Sequence, residues 1–339
     1  MVDTGCRRKH ILVTGAEGFI GSHLVEALLS RGCRVNAFVL YNSFSSTGWL
    51  SEIDNKLLKN LNIYFGDVRD QQTIEVALQG CDSIVHLASL ITIPYSYLAP
   101  TSYFETNVKG TINVLNAARN HNIERIVHTS TSEVYGTAQI VPIPESHPLV
   151  GQSPYSASKI GADQVAYSFF ASFGLPVVTA RPFNTFGPRQ SARAVIPTIM
   201  SQIISGQTEL QLGETSTTRD FNYIADTVNG ITSLLEGDTG CGEAFNIGSG
   251  FEISIGQVME EIENISGLKL QLKIDENRLR PANSEVQRLC ADNMKIREKF
   301  GWSPKYAGKD GLVRALKKTF DWLSARQHIA KTNSDGYKV

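Results

Sequence analysis

"ILVTGAEGFIGSHL", residues 11–24, places Gly15, Gly18 and Gly21 directly after a short apolar strand and at the start of a helix. Glycine lets the chain turn tightly and approach a ligand closely. The helix beyond it offers backbone N–H donors and the positive end of its dipole. Strand, turn and helix in that order form a pyrophosphate cradle, with Phe19 and Ile20 between the glycines as further lining. The bland alternative is a tight turn that binds nothing.

Outward from this stretch, β-branched runs alternate with helical periodicity. Strands are expected at His10–Thr14, Arg34–Leu40, Asn62–Phe65, Ser83–Leu87, Arg125–Thr129 and Pro176–Ala180, with helices near 19–31, 71–79, 102–121 and 156–173. That rhythm predicts an α/β fold, a Rossmann-type doubly wound parallel sheet. After Arg181 the rhythm breaks, and "RPFNTFGPRQ" (181–190) reads as loop. Helices are expected near 194–206, 225–236, 255–266, 293–299 and 309–326, with strands near 220–222, 243–246 and 269–274. The division predicted is a dinucleotide-binding domain over 1–182 with re-entry near 225–246. A smaller C-terminal α/β substrate lobe covers 183–329, and 330–339 form a tail.

The 339 residues carry a formal net charge of −1, with 42% hydrophobic and 19% charged residues. That balance gives no electrostatic footprint for nucleic acid or an anionic membrane. No apolar run reaches the roughly 18 residues of a spanning helix. Cys6, Cys33, Cys81, Cys241 and Cys290 are scattered without CxxC spacing, which argues against a zinc site or a disulfide framework. No metal is expected, and a reducing, cytoplasmic setting fits.

"SPYSASKIGAD" (153–163) supplies Tyr155 and Lys159, four apart and so on one helix face. An ammonium beside a phenol, with a nicotinamide cation, lowers a pKa of about 10 and makes Tyr155 a base for an alcohol proton. "HTSTSEVYGT" (128–137) poses a harder question, because Glu133 sits where a buried strand ends among hydroxyl side chains. It either caps the next turn or moves protons. His86 and His128 lie inside strand patterns and read as packed core histidines.

Taken together, these stretches resemble an extended short-chain dehydrogenase/reductase of the nucleotide-sugar epimerase/dehydratase group, over nearly the whole chain. "VTGAEGFIGSHL" (with GxxGxxG rather than GxGxxG spacing), "GDVRD", "VHLAS", "NVKGTINVLNAA", "STSEVYG", "PYSASK", "RPFNTFGP", "TRDFNYIAD" and "FNIGSG" carry the likeness. Thr131-Ser132-Glu133 is similar to the triplet of sugar-nucleotide 4,6-dehydratases; epimerases usually lack the acid. "YNSF", "IPYSYLAPTSY" and "GPRQSARAVIPTI" narrow the resemblance to the dehydratases of the legionaminic-acid pathway, which act on a nucleotide-linked N-acetylglucosamine.

The resemblance implies a tightly bound, recycled NAD or NADP. It implies C4 oxidation of the hexose, loss of water across C5 and C6, and hydride return to C6. Glu133 would take the C5 proton and protonate the departing hydroxyl, Thr131 would hold the C4 oxygen near Tyr155, and Ser132 stands where many relatives have an aspartate. Cofactor contacts are expected from Asp67, Val68, Leu87 and Ala88, although Asp67 is almost equally well explained as a helix cap. At the end of the second strand, Val39-Leu40-Tyr41-Asn42-Ser43 offers no acid to reject a 2′-phosphate and no arginine to attract one. NAD and NADP both stay open there, with Tyr41, Asn42 and Ser43 as candidate contacts.

For the substrate, Asn184 and Arg219 match diphosphate-binding positions, and Arg280 and Glu285 match positions that hold phosphate and ribose. Arg189 and Arg193 are further candidates. Arginine's fork suits phosphate oxygens and glutamate suits a ribose diol, though a single arginine is more often merely solvated. The rivals are a UDP-glucuronate decarboxylase, a 4-epimerase and a non-catalytic NAD(P)-sensing regulator. The apolar "SLITIP" (89–94) shows no cation for a C6 carboxylate, and both Tyr155 and Lys159 are present. The helices at 102–121 and 156–173 are expected to pair in a homodimer.

Overall fold

The computed structural model describes residues 9–327 and 329. Its centre is a seven-stranded, wholly parallel sheet. In chain order the strands of the molecule are β1 His10–Thr14, β2 Arg34–Leu40, β3 Leu61–Gly66, β4 Ser83–His86, β5 Arg125–Thr129, β6 Val177–Pro182, β7 Asn184–Phe186, β8 Glu209–Leu212, β9 Thr218–Tyr223, β10 Ala244–Ile247, β11 Glu252–Ser254 and β12 Gln271–Ile274. The sheet order is β10-β6-β5-β4-β1-β2-β3. Every residue of β1, β4, β5 and β6 is buried, whereas edge strand β3 is mostly exposed or half-exposed. Continuous apolar runs are what a sheet covered on both faces requires.

The helices are α1 Phe19–Ser30, α2 Gln71–Leu78, α3 Ile93–Leu98, α4 Pro100–Tyr103, α5 Gly110–Arg119, α6 Pro154–Phe173, α7 Val195–Ile204, α8 Ile224–Glu236, α9 Ile255–Ser266, α10 Met294–Phe300 and α11 Gly308–Ser324. One core joins α1 and β1 (Leu24, Val25, Leu28, Ile11, Val13) to α8 (Ile231, Leu234, Leu235) and α11 (Leu312, Leu316). A second core lies on the other face, under α2 and α5 (Ile74, Leu78, Val114, Leu115). Each such side chain contributes about 1.5–3 kcal/mol on burial.

Three expectations need correction. The 102–121 helix is present but not α throughout: α4 passes without a break into a π-helical stretch at Phe104–Lys109 and on into α5, which ends at Arg119. "RPFNTFGPRQ" is not all loop, because Arg181-Pro182 completes β6 and 184–186 form β7, parallel to β9. The proline is tolerated because β5 ends opposite Ala180, so Pro182 faces only β10, at Ile247. Cys33 is disulfide-bonded, while Cys81, Cys241 and Cys290 are free thiols; sequence spacing alone could not say which thiols meet in space. Outside the main sheet, β11-β9-β7 and β12-β8 form two small sheets, and β10 returns the chain to β6. No helix among the described residues is long and apolar enough to cross a membrane.

Candidate active site

The strand order reverses between β1 and β4, and the carboxyl ends of those strands open a crevice. Gly15 follows β1 at φ +67°, and a methyl group on it would fall 2.9 Å from the Ala88 backbone. On Gly21 a methyl would fall 2.1 Å from the Gly15 carbonyl oxygen. Two glycines are therefore required to press α1 onto the turn and the turn onto the loop after β4. The N-terminus of α1 at Gly18 has no side-chain cap, and a methyl on Gly18 would meet nothing closer than the Gly15 oxygen at 3.4 Å. Gly18, Phe19, Ile20 and Gly21 line the cavity, so the orphan N–H groups of this first turn suit an anion held there.

A chain of hydroxyls and imidazole fixes the facing loop. Thr14 Oγ1 accepts from the Leu87 and Ala88 N–H groups at 3.2 and 3.1 Å and lies 2.8 Å from His86 Nδ1. His86 Nε2 meets Thr111 Oγ1 at 3.1 Å, and Thr111 donates to the Asn107 carbonyl. Thr111 spends its proton on the Asn107 carbonyl and so accepts from His86 Nε2–H, while Thr14, which accepts from two N–H groups, gives its own proton to Nδ1; the bonds assign His86 as the neutral Nε2–H tautomer. Burial also drives its pKa well below the ordinary imidazole value. Asn107 brackets Leu90 through its N–H and carbonyl and also binds Ser158 Oγ on α6.

The end of β5 leads into Thr131, whose hydroxyl caps the 3₁₀ turn Ser132–Tyr135 by accepting from the Glu133 N–H at 3.3 Å. Capping is therefore Thr131's work. The Glu133 carboxylate is buried and lines the cavity with Thr131, Ser132 and Tyr155. Tyr155 opens α6 behind a Ser153–Ser156 capping box and packs edge-on against Tyr103 at 6.1 Å. One turn on, Lys159 Nζ donates to the Thr129 carbonyl at 2.7 Å.

Burial pushes the Tyr155 phenol up, and the charge of Glu133 adds to this against a hydrogen bond with Thr131. Burial also brings the Lys159 ammonium down to about 8, with Asp163 opposing. The lowered phenol expected from the sequence is not a property of the protein alone. Behind Lys159 lies a buried ionic cluster. Asp163 binds Arg181 Nε and Nη2 at 3.1 and 3.0 Å and His128 Nε2 at 3.2 Å, and Arg181 Nη1 donates to Tyr135 Oη at 3.0 Å. Burial alone would raise Asp163, but His128 and Arg181 hold it below the usual carboxylate range. His86 and His128 are indeed buried within their strands, though each is tied into this polar system.

The far wall comes from distant segments. Arg219 on β9 pairs with Glu285 at 3.0 Å, and Arg280 reaches the same carboxylate oxygen at 3.5 Å. An isolated bridge between Thr218 and Arg288 sets the two segments side by side. Burial lowers the Arg219 pKa, while the charges of Glu133 and Glu285 support its cation. Asn184 Oδ1 on β7 is buried and has no hydrogen-bond partner among the described residues. One cavity of about 890 Å³ is lined by the glycine turn, by Thr131, Glu133 and Tyr155, and by Asn184, Arg193, Arg219, Arg280 and Glu285.

The family described as GDP-mannose 4,6 dehydratase matches residues 12–315, nearly all of the framework just described. The chain belongs to that family. It is 33% identical over 309 residues to the low-salt glycan biosynthesis protein Agl12 of Haloferax volcanii, covering 89% of this chain and 96% of the relative. Among solved structures, a double mutant of DesIV, a dTDP-glucose 4,6-dehydratase from Streptomyces venezuelae with NAD and DAU bound, superposes with a TM-score of 0.83. It is 29% identical, with 95% of this chain and 99% of that one covered. A UDP-N-acetylglucosamine 4-epimerase from Methanobrevibacter ruminantium in complex with UDP-N-acetylmuramic acid also gives 0.83 at 29% identity, over 94% and 99%. Dehydratase and epimerase relatives thus share this GDP-mannose 4,6-dehydratase-like architecture.

Most residues singled out in the sequence meet at the cavity of this family member: Gly15, Gly18, Phe19, Ile20, Gly21, Asp67, Val68, Leu87 and Ala88 all line it. Tyr41, Asn42 and Ser43 do not. Tyr41 is 72% exposed, and the Asn42 side chain is spent on its own turn, bonding the Leu40 and Ser46 backbones. Arg189 also turns away, clamping α1 through Glu26 at 2.9 Å. Sequence reading missed Glu17, Arg69 and Arg278, which line the cavity. Arg69 had a signal in "GDVRD", where it pairs with Asp67. That pairing competes with the cofactor contact expected for Asp67, and Asp70, not Asp67, caps α2.

Proposed function

We propose that this protein is a nucleotide-sugar 4,6-dehydratase with a resident nicotinamide dinucleotide, acting on an NDP-hexose, with NDP-N-acetylglucosamine the first candidate. One observation carries the choice of dehydration: the Glu133 carboxylate, relieved of capping by Thr131, lies buried in the same cavity wall as Tyr155. The uncapped α1 terminus and the glycine turn fit the pyrophosphate of NAD or NADP, and NAD-bound relatives support that fit. The dinucleotide, when bound, supplies a hydride acceptor that also gives the hydride back.

The protein's own residues then have separable tasks. Thr131 orients the C4 hydroxyl, and Tyr155 takes its proton as C4 becomes a ketone. The ketone acidifies the C5 proton, which Glu133 removes. Now protonated, Glu133 gives that proton to the C6 hydroxyl as it leaves as water. Ser132 cannot share the work as a second carboxylate would. Arg219, Arg280 and Asn184 hold the diphosphate, and Glu285 both orients the two arginines and can accept from the ribose.

Incubating the purified protein with UDP-, GDP- and dTDP-linked glucose and N-acetylglucosamine tests this, with loss of one water from one substrate expected. Glu133→Gln should still exchange hydride at C4 but lose C5 deuterium uptake from heavy water by at least about a hundredfold. Normal uptake removes the role. One observation favours a second reading, decarboxylation of a UDP-hexuronate. Arg193 lines the same cavity as the apolar 89–94 stretch, and its charge reaches Tyr103, whose hydroxyl donates to the Thr92 carbonyl, so another segment offers the cation that the local sequence lacks. Release of carbon dioxide from UDP-glucuronate would decide for it. We also propose a homodimer through the 104–119 and α6 faces, where Phe104, Tyr167 and Phe173 are exposed. Light scattering at micromolar concentration should give twice the chain mass, and a monomer removes it.

A further inference from the structure

The end of β2 carries no acid of its own, yet the fold delivers a carboxylate there from the glycine turn. Glu17 Oε1 accepts from the N–H of Leu40, the last residue of β2, at 2.9 Å. The following segment holds it in place: Trp49 N–H donates to the Glu17 carbonyl at 3.1 Å, and a methyl on Gly48 would lie 2.6 Å from that oxygen. Glu17 Oε2 is buried and has no hydrogen-bond partner among the described residues. Glu17 lines the cavity together with Leu40, Asp67 and Arg69. A buried, acceptor-only oxygen with nothing to accept from is costly, and a ligand hydroxyl relieves it.

The cation on this stretch of wall is already neutralised. Arg69 donates to both Asp67 oxygens, through Nε at 3.0 Å to each and through Nη2 at 2.5 Å to Oδ2.

We propose that Glu17 is the cofactor-selecting residue: its free oxygen accepts from the adenosine ribose 2′-hydroxyl, and its charge repels a 2′-phosphate, so the protein takes NAD rather than NADP. The inference rests on the dinucleotide reading of the cavity. It moves the selecting acid, usually a residue of β2 itself, into the turn after β1. The second strand therefore looks neutral in sequence although its end faces a carboxylate.

Calorimetric titration of nucleotide-stripped protein with NAD and with NADP tests this without reference to turnover. The parent should bind NAD at least about a hundredfold more tightly than NADP. Glu17→Gln keeps an acceptor for the Leu40 N–H but loses the charge, and should narrow that ratio at least about tenfold, chiefly by tightening NADP. Glu17→Ala should narrow it as well while weakening NAD. Circular dichroism melts show which variants keep the fold, and the parent's own ratio is read whether or not they do. Equal binding of both dinucleotides by the parent overturns the Glu17 assignment alone, as does an unchanged ratio in a folded variant. Binding of neither by the parent overturns the assignment together with the dinucleotide reading beneath it.

Discussion

The cavity wall around the glycine turn and the wall around Arg219 are made differently. The first is mostly backbone and small residues from one turn and the ends of β1, β2 and β4. The second is mostly charged side chains, with Arg219, Arg280 and Glu285 brought together across some sixty residues of chain by β9 and one isolated bridge. A backbone wall recognises any ligand with a pyrophosphate in the right place and tolerates almost no change in its own geometry. A side-chain wall can be edited one group at a time, at graded cost. The shared cofactor chemistry and the divergent substrates within one family follow from that asymmetry.

Gly21→Ala attacks the first wall and should have the largest effect. The new methyl would lie 2.1 Å from the Gly15 oxygen, a backbone atom that cannot rotate away, so α1 must lift off the turn. Loss of retained dinucleotide by at least about a hundredfold is expected, since the N–H cradle is displaced. Chromatographic assay of nucleotide released from the purified variant measures it, and near-parental retention would show that the wall is softer than described. Arg219→Gln attacks the second wall and should be milder. It removes the diphosphate contact proposed for Arg219 but leaves Arg280, so KM should rise about tenfold to a hundredfold while kcat changes little. A kcat loss matching the KM rise would mean that Arg219 acts on the reaction through its neighbour Glu133, whose charge it feels.

The same asymmetry explains what was legible in the sequence. The glycine turn could be read because all of it lies within residues 15–21, and Tyr155 with Lys159 because one helix turn joins them. The buried strands announced themselves by unbroken apolar runs. β7 did not, because two prolines and a glycine around it imitate a loop, and its pairing with β9 depends on residues far along the chain. Glu17 was hidden for the opposite reason: it lies inside the most recognisable motif, and only the fold shows that its carboxylate reaches Leu40. Asp163 and Arg181 gave no individual signal either. Their meaning depends on His128 and Tyr135 arriving at the same buried point.

That buried point offers a finer contrast, because Lys159 sits on neither wall but one helix turn behind Tyr155, held on the Thr129 carbonyl. Its folded pKa, about 8, lies below the ordinary lysine value because burial disfavours the ammonium. Between about pH 8 and the unfolded value near 10.4, the unfolded chain therefore binds more protons at this site than the folded one, and folding gains stability as pH rises. Below about pH 8 both states are protonated and the penalty is present in full. Nucleotide-free Lys159→Met should accordingly be more stable than the parent at pH 7, by at most about 3 kcal/mol, and the advantage should shrink as pH climbs from 8 to 10. Denaturant titrations of both proteins across that range measure the difference, in which the ionisations of Cys81, Cys290 and the tyrosines largely cancel. The coulombic support of Asp163 limits the effect, so a gap that stays constant with pH would mean that the carboxylate fully compensates the buried ammonium. A gap that closes would show that the fold carries a destabilising buried charge behind Tyr155, the residue proposed to take the C4 proton.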